Sequence, residues 1–298
     1  MIVQVDADKH SWAFAREDIP FNVCRERLDR HLVALRSKHG NLNLHVSLGT
    51  KGGRENIATV KPYQGNRKGK TADGKRERIN ELRMYLAELK KPGMRGIAWL
   101  NQEADDGICQ MQHLALAMNE KSVVISEDKD LRMVPGMHFD VKEGIYWSTT
   151  EFGRMLLTDK GKVWGCGTTW FWLQMLMGDT VDNIPGVPKL SGEFLNKYFP
   201  KGKSQSSVLC GEKRAMMVME GVTDDVEACA RVLDAYIYWY GGNEAVERFM
   251  EQAFLLWIRR NDDVYDVRNW LNSLGMKIDF SKRQHEILKT LNGEPNNE

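Results

Sequence analysis

Short apolar runs that alternate with helical patterns constrain the fold of the first half of this chain most strongly. Residues 2–5, 42–48, 96–100 and 122–125 have the length and composition of buried strands. Helical patterns fall between these runs, at about residues 25–36, 75–90 and 104–118. The alternation predicts an α/β fold, with a mostly parallel central sheet flanked by helices. In such folds the functional site lies at the carboxyl ends of the strands.

The pattern changes after about residue 148, where helical segments dominate. A buried helix fits residues 168–177, and further helices fit residues 191–198, 225–239, 244–260 and 267–274. We therefore predict two parts: an α/β core over residues 1–160 and a mainly helical part over residues 161–298.

The composition limits the class of protein. A chain of 298 residues with 42% hydrophobic residues can bury a full core without a disulfide or a structural metal. The charged fraction of 28%, and the lack of an apolar stretch of about 20 residues, exclude a membrane protein. The 5 scattered cysteines form no CxxC pair, and no secretion leader is recognisable. We therefore expect a cytoplasmic protein with reduced thiols.

Carboxylates follow the predicted strands and the buried helix. They fall in four places, which are Asp6 and Asp8, Glu103 with Asp105 and Asp106, Asp128 and Asp130, and Asp179 and Asp182. A single acid at such a position is more often a helix N-cap or a solvated turn. Acids that crowd together repel one another unless a cation compensates them, and oxygen ligands suit Mg²⁺ or Mn²⁺ rather than zinc. The repeated placement therefore favours a divalent metal site.

Two further segments indicate binding of a polyanion. Between Lys51 and Lys91 there are 12 basic and 5 acidic residues, although the net charge of the whole chain is only +1. The segment from Gly178 to Lys189 contains a glycine-bearing turn that can direct backbone N–H groups at a phosphate. The alternatives are a solvated helix face for the first segment and an ordinary turn between helices for the second.

Four motifs, in order, resemble those of the 5′ nuclease family. This family includes flap endonucleases, the 5′-nuclease domain of bacterial DNA polymerase I and phage 5′→3′ exonucleases. The matching motifs are Val5-Asp6-Ala7-Asp8, Glu103-Ala104-Asp105-Asp106 (E-x-D-D), Ser126-Glu127-Asp128-Lys129-Asp130-Leu131 (S-x-D-K-D-x) and Gly178-Asp179-Thr180-Val181-Asp182-Asn183-Ile184-Pro185-Gly186 (G-D-x-x-D-N-I-P-G). In the family the last motif opens a helix–three-turn–helix element that binds DNA. The length of the chain, with no polymerase attached, most resembles a stand-alone bacteriophage exonuclease.

The resemblance implies an activity and a set of ligands. The activity is that of a 5′→3′ exonuclease or flap endonuclease, which hydrolyses DNA, and RNA of RNA–DNA hybrids, from 5′ ends in phage replication or repair. Two ions of Mg²⁺ or Mn²⁺ are expected at eight acids, Asp6, Glu103, Asp105 and Asp106 on one side and Asp128, Asp130, Asp179 and Asp182 on the other. A potassium ion is expected at the helix–three-turn–helix, over about residues 168–200.

The resemblance also implies how DNA is held. Part of the basic stretch, about residues 61–91, would form an arch for the 5′ strand, and replication proteins are expected as further partners. The implied DNA contacts are Tyr63, Arg67, Lys68, Lys70, Gly186 and Lys189. The partner would be duplex DNA with a 5′ end or a flap.

Two positions depart from the family pattern. The segment from Tyr63 to Arg67 resembles the family's Y-K-x-x-R, but Gln64 stands at the lysine position. Gly49 stands where the family has an aspartate. Lys61 or Lys68 could supply the missing cation, and Asp8 the missing carboxylate. Two alternatives therefore stay open, a catalytically weakened relative that binds DNA and a metal-dependent ribonuclease of related fold.

Overall fold

The computed structural model describes residues 1–50, 52–67, 69, 71–198 and 208–291, with the backbone alone at residues 208 and 209. The chain forms two compact units that are interleaved in the sequence. The first unit consists of Met1–Gly52, Arg67–Ser148 and Ile258–Asn261, and the second of Gly53–Asn66, Thr149–Trp257 and Asp262–Glu298. The predicted boundary near residue 160 stays a prediction.

A mixed sheet of seven strands forms the centre of the first unit. In chain order its strands are β1 (Ile2–Asp6), β2 (Asn41–Ser47), β3 (Lys90–Lys91), β4 (Met94–Trp99), β5 (Ser122–Ile125), β6 (Gly136–Asp140) and β7 (Ile145–Thr149). The order across the sheet is β3-β4-β2-β1-β5-β6-β7. The pairs β4–β2, β2–β1, β1–β5 and β5–β6 are parallel, whereas β3 runs antiparallel to β4. The predicted mostly parallel sheet is confirmed, and all four predicted strands form.

Helices account for most of the remaining chain. Those within the described residues are α1 (Ala7–Phe14), α2 (Phe21–His39), α3 (Arg54–Ile57), α4 (Asp73–Ala87), α5 (Ala104–Ala117), α6 (Thr168–Met177), α7 (Gly192–Tyr198), α8 (Glu212–Met219), α9 (Asp225–Tyr240), α10 (Gly242–Leu256), α11 (Asp266–Ser273) and α12 (Lys282–Leu291). The helix predicted over residues 168–177 forms with those bounds. Residues 73–87 of the predicted arch form α4, which packs against β2 and β4.

The core of the first unit on one face of the sheet comes from alternate strand residues and from α2 and α4. Its members include Val3 and Val5 of β1, Leu42 and Leu44 of β2, Leu28 and Leu32 of α2, and Leu82 and Leu86 of α4. These strand residues alternate with Gln4, Asn43 and His45, so those side chains point to the opposite face. The apolar side chains of α4 lie three and four residues apart, which gives the helix one buried stripe.

Helix α5 covers the opposite face of the sheet. Trp99 Nε1 donates to Nδ1 of His45 at 3.0 Å, and His45 Nε2 lies 2.8 Å from Oε1 of Gln4. Burial lowers the pKa of His45 to about 3, so the ring is neutral and its one proton is donated to Gln4. A Cβ atom at Gly107 of α5 would lie 2.0 Å from the Trp99 ring, so only glycine fits there. This close packing fixes the position of the first turn of α5 relative to the ends of the strands.

The second unit is mainly helical. It contains the hairpin of β8 (Arg154–Leu157) and β9 (Val163–Cys166), and the short pair β10 (Lys189–Leu190) and β11 (Val208–Leu209). Helix α6 is buried along nearly its whole length, and a turn-rich segment follows it before α7. The predicted fold class, an α/β sheet unit with a helical C-terminal part, is confirmed. Within the described residues, every helix is too short or too polar to cross a membrane.

Candidate metal centre

Asp6 stands where the central strand β1 ends and α1 begins. Its backbone is extended, and one carboxylate oxygen accepts the N–H of Lys9 at 3.2 Å, which caps the helix. The other oxygen accepts the hydroxyl of Ser126 at 3.2 Å, and Ser126 follows the neighbouring strand β5. The side chain is only 6% exposed. A helix cap and a cross-strand contact therefore hold the Asp6 carboxylate at the edge of the sheet.

The loop after β5 carries two further acids. The N–H of Asp128 donates to Oγ of Ser126 at 2.9 Å, and the N–H of Asp130 donates to Oδ1 of Asp128 at 3.0 Å. A short 3-10 helix then begins at Asp130. The side chains of Ser126 and Asp128 each accept a hydrogen bond from the backbone N–H two residues further on. The loop therefore turns directly after β5 and keeps its carboxylates near β1.

The first turn of α5 carries the third group of acids. Glu103 is the N-cap, and its side chain accepts the N–H of Asp106 while Oδ2 of Asp106 accepts the N–H of Glu103 at 3.3 Å. This reciprocal capping satisfies two N–H groups that a helix start leaves unpaired. The N–H of Ala104 donates to Oγ of Ser47, at the end of β2, at 2.8 Å. These bonds fix the helix start that carries Glu103 and Asp105.

The pKa shifts of Asp6 and Asp105 indicate that five carboxylates lie close together. Burial, and after it the charges of Asp8 and Asp128, together raise the pKa of Asp6 to about 7. Burial raises the pKa of Asp105 well above its usual value, with further increases from Asp6, Asp128, Glu103 and Asp130. We call Asp6, Glu103, Asp105, Asp128 and Asp130 the acid cluster. Like charges that disfavour one another's ionisation must be close together.

The donor set of the acid cluster fits a hard divalent cation. All five side chains offer carboxylate oxygens, which suit Mg²⁺ or Mn²⁺, and a bound cation would offset the repulsion that raises the pKa values of Asp6 and Asp105. Two lysines supply some positive charge already. Lys9 lowers the pKa of Asp6, and Nζ of Lys129 lies 3.6 Å from Oδ1 of Asp130.

Asp8 borders the acid cluster and has partners of its own. Its two oxygens accept the N–H of Ser47 at 3.2 and 3.3 Å, and Oδ1 lies 2.8 Å from Nε of Arg83 on α4. Burial raises the pKa of Asp8, whereas Arg83 and Ser47 oppose that increase. Because the charge of Asp8 raises the pKa of Asp6, Asp8 is placed as expected for a carboxylate that replaces the one missing at position 49. That role stays a prediction.

Gly49 lies where the backbone leaves no room for a side chain. The N–H of Thr50 donates to the carbonyl of Leu100 at 2.8 Å, so the segments after β2 and β4 run side by side. A Cβ atom at Gly49 would lie 1.8 Å from that carbonyl oxygen. An aspartate at this position would require the backbone to move. The packing of the first unit therefore accounts for the glycine that stands in place of the family's aspartate.

Asp179 and Asp182 belong to the second unit, in the turn-rich segment after α6. Oδ1 of Asp179 accepts the N–H groups of Val181 at 2.8 Å and Asp182 at 3.4 Å, while its Oδ2 accepts Nε2 of Gln174 at 3.3 Å. The backbone of Asp179 also exchanges two hydrogen bonds with Ile184. Asp179 therefore orders this loop, and the part that both acids play in metal binding stays a prediction.

The turn from Pro62 to Asn66 is tied to the same loop of the second unit. The N–H of Gln64 donates to the carbonyl of Asp182 at 2.9 Å, Asn66 Nδ2 to that of Thr180 at 3.0 Å, and Asn183 Nδ2 to that of Pro62 at 2.9 Å. Gln64 and Asn183 adopt left-handed backbone angles, with φ of 52° and 63°. The three bonds explain why the chain holds non-glycine residues in this conformation.

The predicted DNA contacts have different environments. Arg67 and Lys189 are exposed, whereas the Tyr63 side chain is only 7% exposed. The N–H of Gly186, which we expected to face a phosphate, donates to Oε1 of Gln252 at 2.8 Å instead, because α10 packs against this loop. Lys68 and Lys70 lie outside the described residues. A direct phosphate contact by Gly186 would therefore require Gln252 to give up this bond.

Several residues at the candidate metal centre were not predicted to act there. They are Ser47, which holds both Asp8 and the start of α5, Ser126, which links Asp6 to Asp128, and Arg259, whose N–H donates to Oδ1 of Asp106 at 2.9 Å. The motif around Ser126 was a usable signal for that residue. Ser47 and Arg259 had none, since both act on residues far away in the sequence.

Comparison with known proteins identifies the fold. No protein-family profile matches the sequence, and no curated protein does either. Solved structures of bacteriophage T5 proteins match over 98% of both chains. A flap endonuclease variant in complex with DNA and metal ions is 15% identical, with a TM-score of 0.60. The same phage protein crystallised with metal ions is 16% identical at a TM-score of 0.56, and the T5 5′-exonuclease with bound zinc is 16% identical at 0.55. The chain has the T5 5′-exonuclease fold.

At these identities the likeness establishes the fold alone. The predicted resemblance to 5′ nucleases is confirmed at that level, because the structures that match are those of a 5′-exonuclease and flap endonuclease. The neighbours hold metal ions, and one holds DNA. The acid cluster consists of the present chain's own residues and does not depend on this likeness.

Proposed function

We propose that this protein is a divalent-metal-dependent 5′ nuclease that hydrolyses DNA from 5′ ends, as an exonuclease or a flap endonuclease. The observation that carries the proposal is the acid cluster. Its members come from β1, from the loop after β5 and from the start of α5, and the charges of neighbouring members raise the pKa values of Asp6 and Asp105. A crowded, partly buried group of carboxylates is costly unless it serves a cation, and the fold is that of a metal-binding phage nuclease.

The acid cluster would hold two ions of Mg²⁺ or Mn²⁺, with Asp179 and Asp182 as further predicted ligands. Such ions, when bound, supply a water of lowered pKa and neutralise charge on the phosphoryl group. The protein's own part is to present ionised oxygens in fixed positions. Ser126 orients Asp6 and Asp128, and the capping pair of Glu103 and Asp106 orients the start of α5.

Protonation of Asp6 would be coupled to loading of the site. With a pKa raised to about 7, Asp6 is partly protonated at neutral pH in the absence of a cation. Its proton must leave before both oxygens can serve as ligands, so metal binding releases it. Lys9, at the first turn of α1, favours the ionised form.

DNA would be held by its backbone, without base readout. Arg67 and Lys189 are exposed cations, and Lys68 and Lys70 extend the same basic stretch in the sequence. Contacts of this kind are independent of sequence and weaken as salt rises. Cleavage of RNA in RNA–DNA hybrids, a potassium ion in the segment after α6, and partners among replication proteins are further parts of the proposal.

A DNA-binding relative with weakened catalysis is the second candidate. Two observations favour it: the backbone at Gly49 excludes the family's aspartate, and Gln64 replaces its lysine. Under this alternative the protein keeps its hold on DNA and hydrolyses it slowly or not at all.

A cleavage assay separates the candidates. Duplexes with a 5′ end or a 5′ flap, an RNA–DNA hybrid and a structured RNA are incubated with the protein in Mg²⁺, Mn²⁺ or EDTA. We expect metal-dependent release of 5′ products from the DNA substrates. Asp105→Asn should lower the rate at least about 100-fold, because it removes a ligand that stabilises the transition state by several kcal/mol. Asp18→Asn, at an exposed ion pair with Arg16, is the matched control and should leave the rate unchanged.

Other outcomes would select another function. Binding of DNA with no cleavage in either metal would favour the weakened relative, and preference for structured RNA would favour a ribonuclease. Asp179→Asn and Asp182→Asn test the second unit in the same assay. A rate unchanged in both would remove these two acids from the proposed ligand set.

A further inference from the structure

The segment Ile258–Asn261 belongs to the first unit although it follows α10 in the sequence. It is fastened to the first two turns of α5 by two hydrogen bonds. The N–H of Arg259 donates to Oδ1 of Asp106 at 2.9 Å, and Nε2 of Gln110 donates to the carbonyl of Asn261 at 2.8 Å. Asp106 and Gln110 lie one helical turn apart, on the same face of α5.

The side chain of Arg259 joins three segments at the strand ends. Its Nη2 lies 3.5 Å from Oδ2 of Asp106 and donates to the carbonyl of Asn101 at 3.2 Å, in the loop between β4 and α5. A Cβ atom at Gly52, after β2, would lie 2.3 Å from the same nitrogen. The guanidinium is therefore packed against the backbone after β2, the backbone after β4 and the first turn of α5.

Asp106 is fully engaged by these contacts. The side chain is 0% exposed, Oδ1 accepts the Arg259 N–H, and Oδ2 accepts the N–H of Glu103 and lies beside the guanidinium. A buried carboxylate with these partners is already compensated, so it has little to gain from a metal ion. Its position in E-x-D-D had predicted a ligand. Its contacts indicate instead that it holds the helix start on which Glu103 and Asp105 stand.

We infer that Arg259 is a positioning residue for the metal centre, acting through Asp106, and that Asp106 positions the acid cluster without binding metal itself. The inference rests on the proposed function, since it concerns the same site. Partners that orient the ligands of a metal typically change its affinity about 10–100-fold when they are removed. Arg259 would do this from a segment that carries no acidic motif.

Titration with Mn²⁺ tests the inference without relying on catalysis. Electron paramagnetic resonance or calorimetry gives the affinity of the whole protein for Mn²⁺, and thermal unfolding gives its stability. We expect Arg259→Ala to weaken Mn²⁺ binding about 10–100-fold. The matched control is Arg231→Ala in the second unit, since Arg231, like Arg259, contacts backbone carbonyl groups, those of Val218 and Glu220, and one carboxylate, that of Glu227. The control should lose stability and keep its Mn²⁺ affinity.

An Mn²⁺ affinity of Arg259→Ala within about twofold of the wild type would overturn the inference, because the cited effect of such partners is larger. Should Arg259→Ala not fold, Arg259→Lys keeps the charge but loses the planar fork that reaches Asn101 and Asp106 together. At least about threefold weaker binding is expected for it, and unchanged binding overturns the inference.

Asp106→Asn separates positioning from direct ligation. Acting through one contact, Asp106→Asn and Arg259→Ala should be non-additive, so the double variant binds Mn²⁺ about as well as the weaker single variant. Effects that multiply would show that Asp106 is a ligand in its own right and would overturn the inference. A wild-type protein that neither binds Mn²⁺ nor cleaves DNA overturns the proposed function as well. A wild type that does both, beside an unaffected Arg259→Ala, overturns only the role of Arg259.

Discussion

Replacing Asp6 by asparagine should stabilise the protein at pH 8 when no divalent cation is present. The pKa of Asp6 is raised from 3.8 to about 7, chiefly by burial and then by the charges of Asp8 and Asp128. An acid whose pKa is raised on folding favours the folded state only when it is protonated. The folded protein therefore loses stability as pH rises from about 4 to about 7, and the full loss is present at pH 8. Asparagine removes the charge that causes it.

The magnitude follows from the same pKa. At about 1.4 kcal/mol per pKa unit, the increase from 3.8 to about 7 corresponds to about 4 kcal/mol at pH 8. Asparagine is as good an N-cap as aspartate, so its side-chain oxygen can still accept the N–H of Lys9. We therefore expect Asp6→Asn to raise the free energy of unfolding by about 2–4 kcal/mol in EDTA at pH 8 and by much less at pH 4.

Urea denaturation at pH 4, 6 and 8 in EDTA measures this effect, and addition of Mg²⁺ provides a second comparison. Bound cation should stabilise the wild type and not the variant, so the advantage of Asp6→Asn shrinks or reverses. Asp224→Asn is the matched control, because Asp224 is also an aspartate N-cap, accepting the N–H of Glu227 at 2.9 Å at the start of α9. The control should change stability by about 0.5 kcal/mol or less at each pH.

Two results would refute the reasoning about Asp6. A gain that is equal at pH 4 and pH 8 would mean that packing, and not charge, limits stability at this position. A loss at pH 8 would mean that the Asp6 carboxylate is stabilised by its partners more than burial and its neighbours disfavour it.

Three further predictions follow from the packing and charges. The apparent Mn²⁺ affinity should rise between pH 5 and pH 7, by up to about tenfold per pH unit for each proton released. The reason is that the raised pKa values of Asp6 and Asp105 make protons compete with the metal. Calorimetry measures this, and an affinity that does not change over this range would contradict the prediction. Gly49→Ala should lower the free energy of unfolding by about 1–3 kcal/mol, since its Cβ would overlap the Leu100 carbonyl; urea denaturation beside Gly211→Ala, where a Cβ meets open space, checks this, and equal losses would argue against it. Arg67→Ala and Lys189→Ala should each reduce the slope of log affinity for DNA against log salt by about 0.9, on any sequence; filter binding from 50 to 200 mM salt (roughly the range over which such slopes are measured) tests it, and a slope that does not change would remove that residue from the DNA contacts.

Most of the fold could be predicted from local sequence patterns. Strand alternation and helical spacing are set by residues two to four positions apart, so the four strands and the buried helix over residues 168–177 could be recognised directly. The acids at the ends of β1 and β5 and at the start of α5 could be placed together in the same way, because parallel strands bring their carboxyl ends to one edge. The choice of an oxygen-binding divalent metal as the candidate ligand followed from the residue types alone.

Contacts between distant segments could not be read from such patterns. Asp106 looks like its neighbour Asp105 in the sequence, yet its partner Arg259 is 153 residues away. The N–H of Gly186, predicted to contact a phosphate, donates to Gln252, which is 66 residues away, and the phosphate contact stays a prediction. In both cases a group's role depends on which partner tertiary packing brings to it.

The sequence by itself determined the order of strands and helices, the positions of the acids that directly follow the strands, and the chemistry that those acids favour. These properties depend on near neighbours in the chain and on residue type. Only the tertiary structure decided which carboxylates crowd together and which are compensated. Burial and distance set the cost of each charge. That cost raises the pKa values of Asp6 and Asp105, while Asp106 is bonded to Arg259 instead.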